Sequence, residues 1–348
     1  MKHSVLSLLR AGALYEAEKE YKRLGLESVV DDEDTIALGG RILKSRALEQ
    51  TGAPRSELAL KSAEKYKQAF RATGGTYSGI NTASMYVLAD DMEAAKTIAR
   101  TVLEKTRQYD PRPGEDAYYH MATVAEAHLI LGNLKMAKAA LRDAIDLDPR
   151  NYVAHATTVR QFEMLMTGVG AEYLVPCYNR DHDEPYHHHW IDTYRPPKVI
   201  HFAGHMFNAR EGSVGDRGDI EAAVDAFLHE NRIGFAYGCL AAGSDIIIAE
   251  KILSSGAQLH VVLPCPNAFF VETAVVSFGD EWLDRFYACL AAAKTVRYTS
   301  YDEELPDDLT LSFASEVAMG LAVLKSECLA TSVMQMLIWD GKAGNGIA

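Results

Sequence analysis

The sequence lacks the short motifs that identify several common enzyme and metal-binding classes. It contains five cysteines in 348 residues, and no two of them form a Cys-x-x-Cys pair. Neither a disulfide framework nor a zinc ribbon is therefore indicated, and reduced cysteines are typical of the cytoplasm. No P-loop, no Gly-x-Ser-x-Gly elbow and no His-Glu-x-x-His motif occurs. Their absence argues against P-loop NTPases, α/β-hydrolases and zincin proteases.

The sequence also has little that would bind a membrane or a nucleic acid. Its N-terminal segment lacks the uninterrupted apolar core of a signal peptide, and we expect no membrane span. Acidic residues (48) outnumber basic residues (35), which gives a net charge of −13. This balance disfavours a surface for nucleic acids or anionic lipids. We therefore expect a cytoplasmic protein with neither kind of partner.

The apolar content is sufficient for two folded domains. Hydrophobic residues make up 48% of the 348 residues, and chains of this length usually divide. The two halves differ in their apolar periodicity, so we predict an α + α/β fold. A helical-repeat domain is predicted at 1–169, a linker at 170–197 and a parallel-sheet domain at 198–348.

Residues 118–151 have the spacing of one tetratricopeptide repeat, a helix–turn–helix unit of about 34 residues. Alanines at the predicted helix contacts would let the two helices approach closely. An ordinary helical hairpin is the alternative, and the shared register disfavours it. The positions in register are Val124, Ala125, Gly132, Ala137, Leu141 and Ala144, with Pro149 ending the unit.

Weaker copies of the same pattern occur at 12–24 and 90–102. We predict roughly seven or eight helices up to residue 168, stacked as a repeat array. Such arrays form a superhelix with a concave face. That face is the predicted binding site for a protein partner.

The predicted linker contains several prolines and a group of histidines among acidic residues. Imidazole and carboxylate groups are ligands for zinc. Adjacent histidines cannot all face one ion, however, and no His-x-x-x-His spacing is present. We therefore expect no metal site, with a solvated interdomain segment as the favoured interpretation. The weak metal candidates are His182, His187 and His189.

From residue 198 the pattern alternates between strands and helices, which predicts a parallel sheet covered on both faces. The first two strands each end in a glycine-bearing loop before a helix, as in phosphate-binding Rossmann-like folds. The predicted strands lie near 198–203, 233–237, 258–263, 295–299 and 334–339. The predicted helices lie near 217–230, 244–255, 267–276, 281–293 and 311–330.

Four motifs, FxGHM, YGxLAxGxDIxxAE, LHVVLP and LIWDGKxGxG, occur in this order. In this order they resemble the SLOG superfamily of Rossmann-like domains. The version fused behind tetratricopeptide repeats in bacterial signalling proteins, some carrying nucleotide cyclases, is the most similar. A further stretch, Tyr77-x-Gly-Ile-Asn81-x-Ala, resembles the TRAFs-binding region of apoptosis signal-regulating kinases. Asn81 is alternatively a helix N-cap.

The SLOG resemblance implies a nucleotide pocket at the carboxyl edge of the sheet. Gly238 and Gly243 would let a phosphate or ribose approach, and Ser244 would donate its hydroxyl. Asp245 suits a ribose hydroxyl and equally suits an N-cap. Arg210 lies in a glycine-rich stretch that would close over a ligand. The full predicted set is Gly204, His205, Met206, Arg210, Gly238, Gly243, Ser244, Asp245, Asp340 and Gly341.

The enzymatic members of this superfamily cleave an N-glycosidic bond with a glutamate in a PGGxGTxxE loop. Ile247 occupies the place of that glutamate here, which leaves only Glu250 and Asp245 as catalytic candidates. We therefore favour a regulatory protein that senses a nucleotide-derived ligand and binds a protein through its repeats. A nucleotide or NAD glycohydrolase and a ligand-free scaffold are the alternatives. Self-association, and a continuation beyond Ala348, are left open.

Overall fold

The computed structural model describes residues 2–168, 190–207 and 217–339. The chain divides into two compact units, Met1–Tyr194 and Arg195–Ala348. Most of the predicted linker, including His182, His187 and His189, lies outside the described residues. The same holds for Arg210, Asp340 and Gly341.

The first unit is helical, as predicted. Between residues 2 and 168 the structure describes nine α-helices, where the sequence predicted seven or eight. Helices adjacent in sequence pack against each other as hairpin partners, α3 with α4 and α7 with α8. The helices are α1 (Lys2–Arg10), α2 (Leu14–Arg23), α3 (Glu33–Leu48), α4 (Gly52–Thr73), α5 (Thr76–Leu88), α6 (Met92–Thr106), α7 (Glu115–Ile130), α8 (Leu134–Leu147) and α9 (Tyr152–Gly168).

Small residues set the close spacing of these helices. Ala125 of α7 and Ala137 and Ala144 of α8 are fully buried, and Leu141 is almost so. The turn between the two helices contains Gly132, whose positive φ of 80° favours glycine. The helix–turn–helix predicted from the spacing of residues 118–151 is therefore confirmed.

The prediction that Asn81 caps a helix is wrong. Helix α5 begins at Thr76, and the extended Gly75 occupies its N-cap position. Asn81 lies in the second turn, where it is buried and donates to the Tyr77 carbonyl at 3.0 Å. Gly79 of the same motif packs against neighbouring helices, because a Cβ there would lie 2.7 Å from Val102 Cγ2.

The second unit is built on a five-stranded sheet with the order β4-β3-β2-β1-β5. Every neighbouring pair is parallel, which confirms the predicted α/β class. The strands are β1 (Lys198–Gly204), β2 (Ile233–Gly238), β3 (Gln258–Leu263), β4 (Thr295–Tyr298) and β5 (Val333–Ile338). The helices are α10 (Arg217–Glu230), α11 (Ser244–Ser254), α12 (Asn267–Ala274), α13 (Glu281–Ala292) and α14 (Asp308–Leu329).

Helices cover both faces of this sheet. Helix α11 packs on β1 and β3, and its isoleucines share a core with Ile200 and Phe202. Helix α14 packs on β1, β2 and β3. The ring of His201 on β1 lies within 3.5 Å of Ser315 on α14 and of Gln335 on β5. Gln335 therefore lies on the face that α14 covers.

Within the described ranges, α14 is the one helix long and apolar enough to span a membrane. We had predicted no segment of this length and apolar composition, and that prediction was wrong. Ala314, Ala318 and Ala322 recur every fourth residue, are buried and form the contact with the sheet. Because core helices also have this composition, α14 is weak evidence for a membrane.

The packing at Gly79 predicts the effect of a single methyl group. Gly79→Ala should lower the stability of the helical unit by about 1–3 kcal/mol, because Val102 and Phe70 leave no room for it. Gly320→Ala in α14 is the control, since nothing lies within 4 Å of its Cβ position. The control should raise stability by up to about 1 kcal/mol. Calorimetry of both variants checks the prediction, and equal melting temperatures would contradict it.

Candidate functional site

The strand order reverses at the carboxyl ends of β1 and β5. The chain adds strands outward from β1 to β4 and then returns to place β5 on the other side of β1. Ligands of open α/β sheets bind at such a reversal, outside the carboxyl ends of the strands. In this unit the reversal lies where Gly204 ends β1 and Ile338 ends β5.

Three segments that follow strands meet at this edge. The N–H of His205 donates to the Ile338 carbonyl at 3.1 Å. The N–H of Ser244, the first residue of α11, donates to the His205 carbonyl at 3.3 Å. The end of β1 is thus bonded to both the end of β5 and the start of α11. These bonds bring Gly204 and His205 together with Gly243 and Ser244, which the sequence assigned to one pocket.

The glycines at this edge make contacts within the chain. A Cβ at Gly204 would lie 2.4 Å from the Ser244 Cβ, and one at Gly238 would lie 2.6 Å from the Phe202 carbonyl oxygen. Gly243 has a φ of 95°, and its Cβ position is 2.9 Å from the Phe207 nitrogen. The close approach that excludes a side chain is made by the protein itself, whereas the sequence analysis reserved that space for a ligand. A role of these residues in ligand binding stays a prediction.

Two buried polar atoms in the first turn of α11 are unsatisfied. Ser244 is fully buried, and in the described part of the chain its Oγ has no hydrogen-bond partner. Asp245 accepts from the Ala241 N–H at 3.2 Å through Oδ2, and the Gly204 N–H is a weaker partner of the same carboxyl. Oδ1 makes no hydrogen bond of standard geometry among the described residues. Burial raises the pKa of the Asp245 carboxyl to about 7. Because Gly243 is the N-cap, the alternative of Asp245 as N-cap is wrong.

Glu250, the second catalytic candidate, is held in an ion pair. Its carboxylate accepts from Arg285 Nε at 2.7 Å and from Arg285 Nη2 at 2.6 Å, which ties α11 to α13. The Arg285 guanidinium also lies over the Trp282 ring, 4.3 Å from its centroid. A bidentate pair of this kind fixes the carboxylate. Sequence analysis missed Arg285, since 35 residues separate the two partners.

Two further predicted residues of this edge, His205 and Met206, lie in the described part of the chain. His205 is partly buried and Met206 is 40% exposed. Among residues 2–168, 190–207 and 217–339, no group of three or more metal-ligating side chains is placed to hold an ion.

The helical unit contains a buried polar network that the sequence analysis did not predict. Lys44 Nζ donates to Asn81 Oδ1 at 3.3 Å and to Gln161 Oε1 at 2.5 Å. Gln161 Nε2 donates to Ser84 Oγ at 2.9 Å and to Glu126 Oε2 at 3.0 Å. These side chains come from α3, α5, α7 and α9, which alternate along the chain. The network therefore joins every second helix from α3 to α9.

The two charged members of this network are both perturbed. Burial raises the pKa of Glu126 to about 7, against the opposing charge of Lys44. Burial lowers the pKa of Lys44 to about 8, against the charge of Glu126. Both shifts disfavour the charged form, as expected when an ionisable group leaves water. The sequence signal available for this network was a polar residue on an otherwise apolar helix face.

Gly243→Ala should destabilise the sheet unit even without a ligand. The substitution forces a side chain into a positive φ and against the Phe207 nitrogen and the His205 oxygen. Gly256→Ala is the matched control, because its φ is 80° but nothing lies within 4 Å of its Cβ position. We expect a loss of about 1 kcal/mol for the control and about 2–4 kcal/mol at Gly243. Urea denaturation measures both, and equal losses would show that the contacts are not tight.

Glu126 predicts a pH dependence of stability. Its folded pKa of about 7 exceeds the ordinary value of 4.5, so its contribution is complete below pH 4.5 and is lost as the pH rises through 7. In Glu126→Gln, which does not titrate, the fall in unfolding free energy between pH 5 and pH 7 should shrink by about 1–3 kcal/mol. The control is Glu104→Gln, on the exposed side of α6. Urea denaturation at several pH values checks this, and an unchanged slope in Glu126→Gln would contradict it.

Comparison with protein families identifies a relationship for the N-terminal part of the chain. A family model described as Tetratricopeptide Repeats-Sensor matches residues 1–86, which span α1 to most of α5. No curated protein matches the chain. The family match covers residues 1–86, whereas the most regular repeat spacing lies at 118–151. The two observations come from different segments, and each supports helical repeats in this unit. Residues 1–86 are therefore similar to a tetratricopeptide-repeat sensor domain, and repeats of this type generally mediate protein–protein interaction.

Proposed function

We propose that this protein is a sensor in which the sheet unit binds a nucleotide or nucleotide-derived ligand and the helical unit binds a protein. The observation that carries the proposal is the pair of unsatisfied polar atoms, Ser244 Oγ and Asp245 Oδ1, within the described part of the chain. They lie in the first turn of α11, beside the reversal of strand order.

Unsatisfied buried polar atoms are costly, at about 1–3 kcal/mol each. A nucleotide supplies partners for both, because Ser244 Oγ donates to a phosphate oxygen and Asp245 Oδ1 accepts from a ribose hydroxyl. The helix dipole at the N-terminus of α11 favours the phosphate further. With its pKa raised to about 7, the Asp245 carboxyl repels a nearby phosphate less than a fully ionised group would.

The described carboxylates support a sensor better than a glycohydrolase. Cleavage of a glycosidic bond needs an acid or base free to reach the ribose. Glu250 is held by Arg285, whereas Asp245, which reaches the ribose through Oδ1 in this proposal, remains a candidate acid or base. Ile247, in the position of the family's glutamate, is fully buried.

The helical unit is the proposed contact for a protein. The match to the repeat-sensor family supports this role, as does the polar network that joins α3, α5, α7 and α9 in one array. In this proposal the segment 170–197 joins the two units. Ligand binding to the sheet domain, 198–348, controls partner binding by the repeats, and no metal takes part. A cytoplasmic location and self-association belong to the same proposal.

Ser244→Ala separates ligand binding from folding. Removing a hydroxyl without a partner should leave the melting temperature of the free protein equal or higher. With ADP, NAD and cyclic di-GMP as probes, the wild type should bind at least one by calorimetry, and the variant should bind it about tenfold more weakly, equivalent to about 1.4 kcal/mol. Ser255→Ala, at the other end of α11 with its Oγ bonded to the Ile252 carbonyl, is the control.

Two outcomes would contradict this proposal. Equal affinity of the Ser244→Ala and Ser255→Ala variants would place any ligand elsewhere. Release of free base or nicotinamide that disappears in Glu250→Gln would instead support the glycohydrolase. We expect no such release from any of the three probes.

A further inference from the structure

A histidine on the other face of the sheet has one ring nitrogen without a hydrogen-bond partner among the described residues. His260 on β3 is paired in register with Tyr237 on β2 and with Thr295 on β4. Its ring stacks parallel on Tyr237 with centroids 4.4 Å apart, and its Nδ1 lies 2.8 Å from Thr295 Oγ1. The side chain is 8% exposed, and in the described ranges Nε2 has no partner. Both neighbouring strands therefore fix a ring whose second nitrogen is unused.

Two basic side chains lie on the same face of the sheet as this ring, and a third immediately precedes β4. Arg297 follows Thr295 by two residues in β4 and so lies on the same face. Lys325, near the end of α14, places Nζ 4.5 Å from the ring centroid of Phe235, which precedes Tyr237 by two residues. Lys294 immediately precedes β4. After burial, the charges of Lys325, Arg297 and Lys294 are what lower the pKa of His260 to about 4.

None of these three cations is neutralised by an acidic side chain in the part of the chain that the structure describes. Ion pairs of the sheet unit there involve Lys251 and Arg285 instead. This is unusual for a chain with a net charge of −13. Like charges that converge without a counter-charge repel one another, and an anion would offset that repulsion.

We propose that His260, Arg297 and Lys325 form a binding site for a phosphate-sized oxyanion on the α14 side of the sheet. In this proposal the ring proton is on Nε2, Nδ1 accepts from Thr295 Oγ1–H, and Nε2–H donates to the anion. The Arg297 guanidinium donates two parallel hydrogen bonds to the oxyanion, and Lys325 supplies a point charge. Lys294 adds to the local positive potential.

This site is independent of the proposed nucleotide site. It is built on β2, β3, β4 and α14, whereas the nucleotide site is proposed at the ends of β1 and β5. The ligand is an oxyanion either as free phosphate or as the terminal group of a phosphate ester. Failure of nucleotide binding at Ser244 would therefore leave this proposal unaffected.

A titration of the whole chain with inorganic phosphate tests the site. The His260 ring nitrogens are observed by long-range ¹H–¹⁵N NMR and assigned with His260→Gln. Phosphate should shift the Nε2 resonance with saturation and a Kd on the order of 1 mM, while chloride at equal ionic strength should not. Arg297→Gln, at an exposed position, should weaken binding about tenfold. Lys251→Gln removes the same charge from α11 and should change nothing.

The variants distinguish a specific binding site from nonspecific electrostatic attraction of phosphate. An equal shift with chloride, or equal phosphate affinity of Arg297→Gln and Lys251→Gln, would overturn the proposal. Absence of any shift with phosphate would overturn it as well. Phenyl phosphate distinguishes the two sources: binding comparable to phosphate supports a phosphate ester as ligand, and binding of phosphate alone supports the free ion.

Discussion

The sheet unit depends on one close contact, between the end of β1 and the first turn of α11. Gly204 and Ser244 approach so closely that a Cβ at residue 204 would lie 2.4 Å from that of Ser244. The same approach allows the Ser244 N–H to bond to the His205 carbonyl. It fixes the N-terminus of α11 beside the reversal of strand order, where the helix N–H groups, the Ser244 hydroxyl and the Asp245 carboxyl are grouped. The proposed ligand site exists only because this contact is short.

Buried polar groups within the described residues either close into a network or keep an unpaired atom, and both units contain the second kind, as at Arg55 and His128 in the helical unit. In the helical unit, Lys44, Gln161 and Glu126 satisfy one another and fix the relative positions of alternate helices. Such closed networks favour one arrangement of a core, because any shift leaves costly unpaired groups. In the sheet unit, Ser244, Asp245 and His260 each keep an unpaired atom within the described residues. Groups of this kind call for a reason beyond folding, and a ligand supplies one.

Much of the fold could be predicted from the sequence, but less of the site. The strand at 258–263 was predicted with the bounds that the structure has, because buried parallel strands give continuous apolar runs between turn signals. A sequence does not show what fills the space beside Gly204 or Gly243, so contacts of the chain with itself were taken for room for a ligand. The bond between Lys44 and Gln161 spans 117 residues and is invisible without the fold.

The central claim is that a nucleotide binds where β1, β5 and α11 meet, and hydrogen exchange of the whole chain tests this location most directly. Amide exchange is compared with and without ADP, NAD or cyclic di-GMP, peptide by peptide. The account predicts slower exchange in peptides that cover 204–207 and 241–247 with at least one of the three probes. It predicts no change in α13, Glu281–Ala292. Protection confined to other segments, or none with any probe, would contradict the claim.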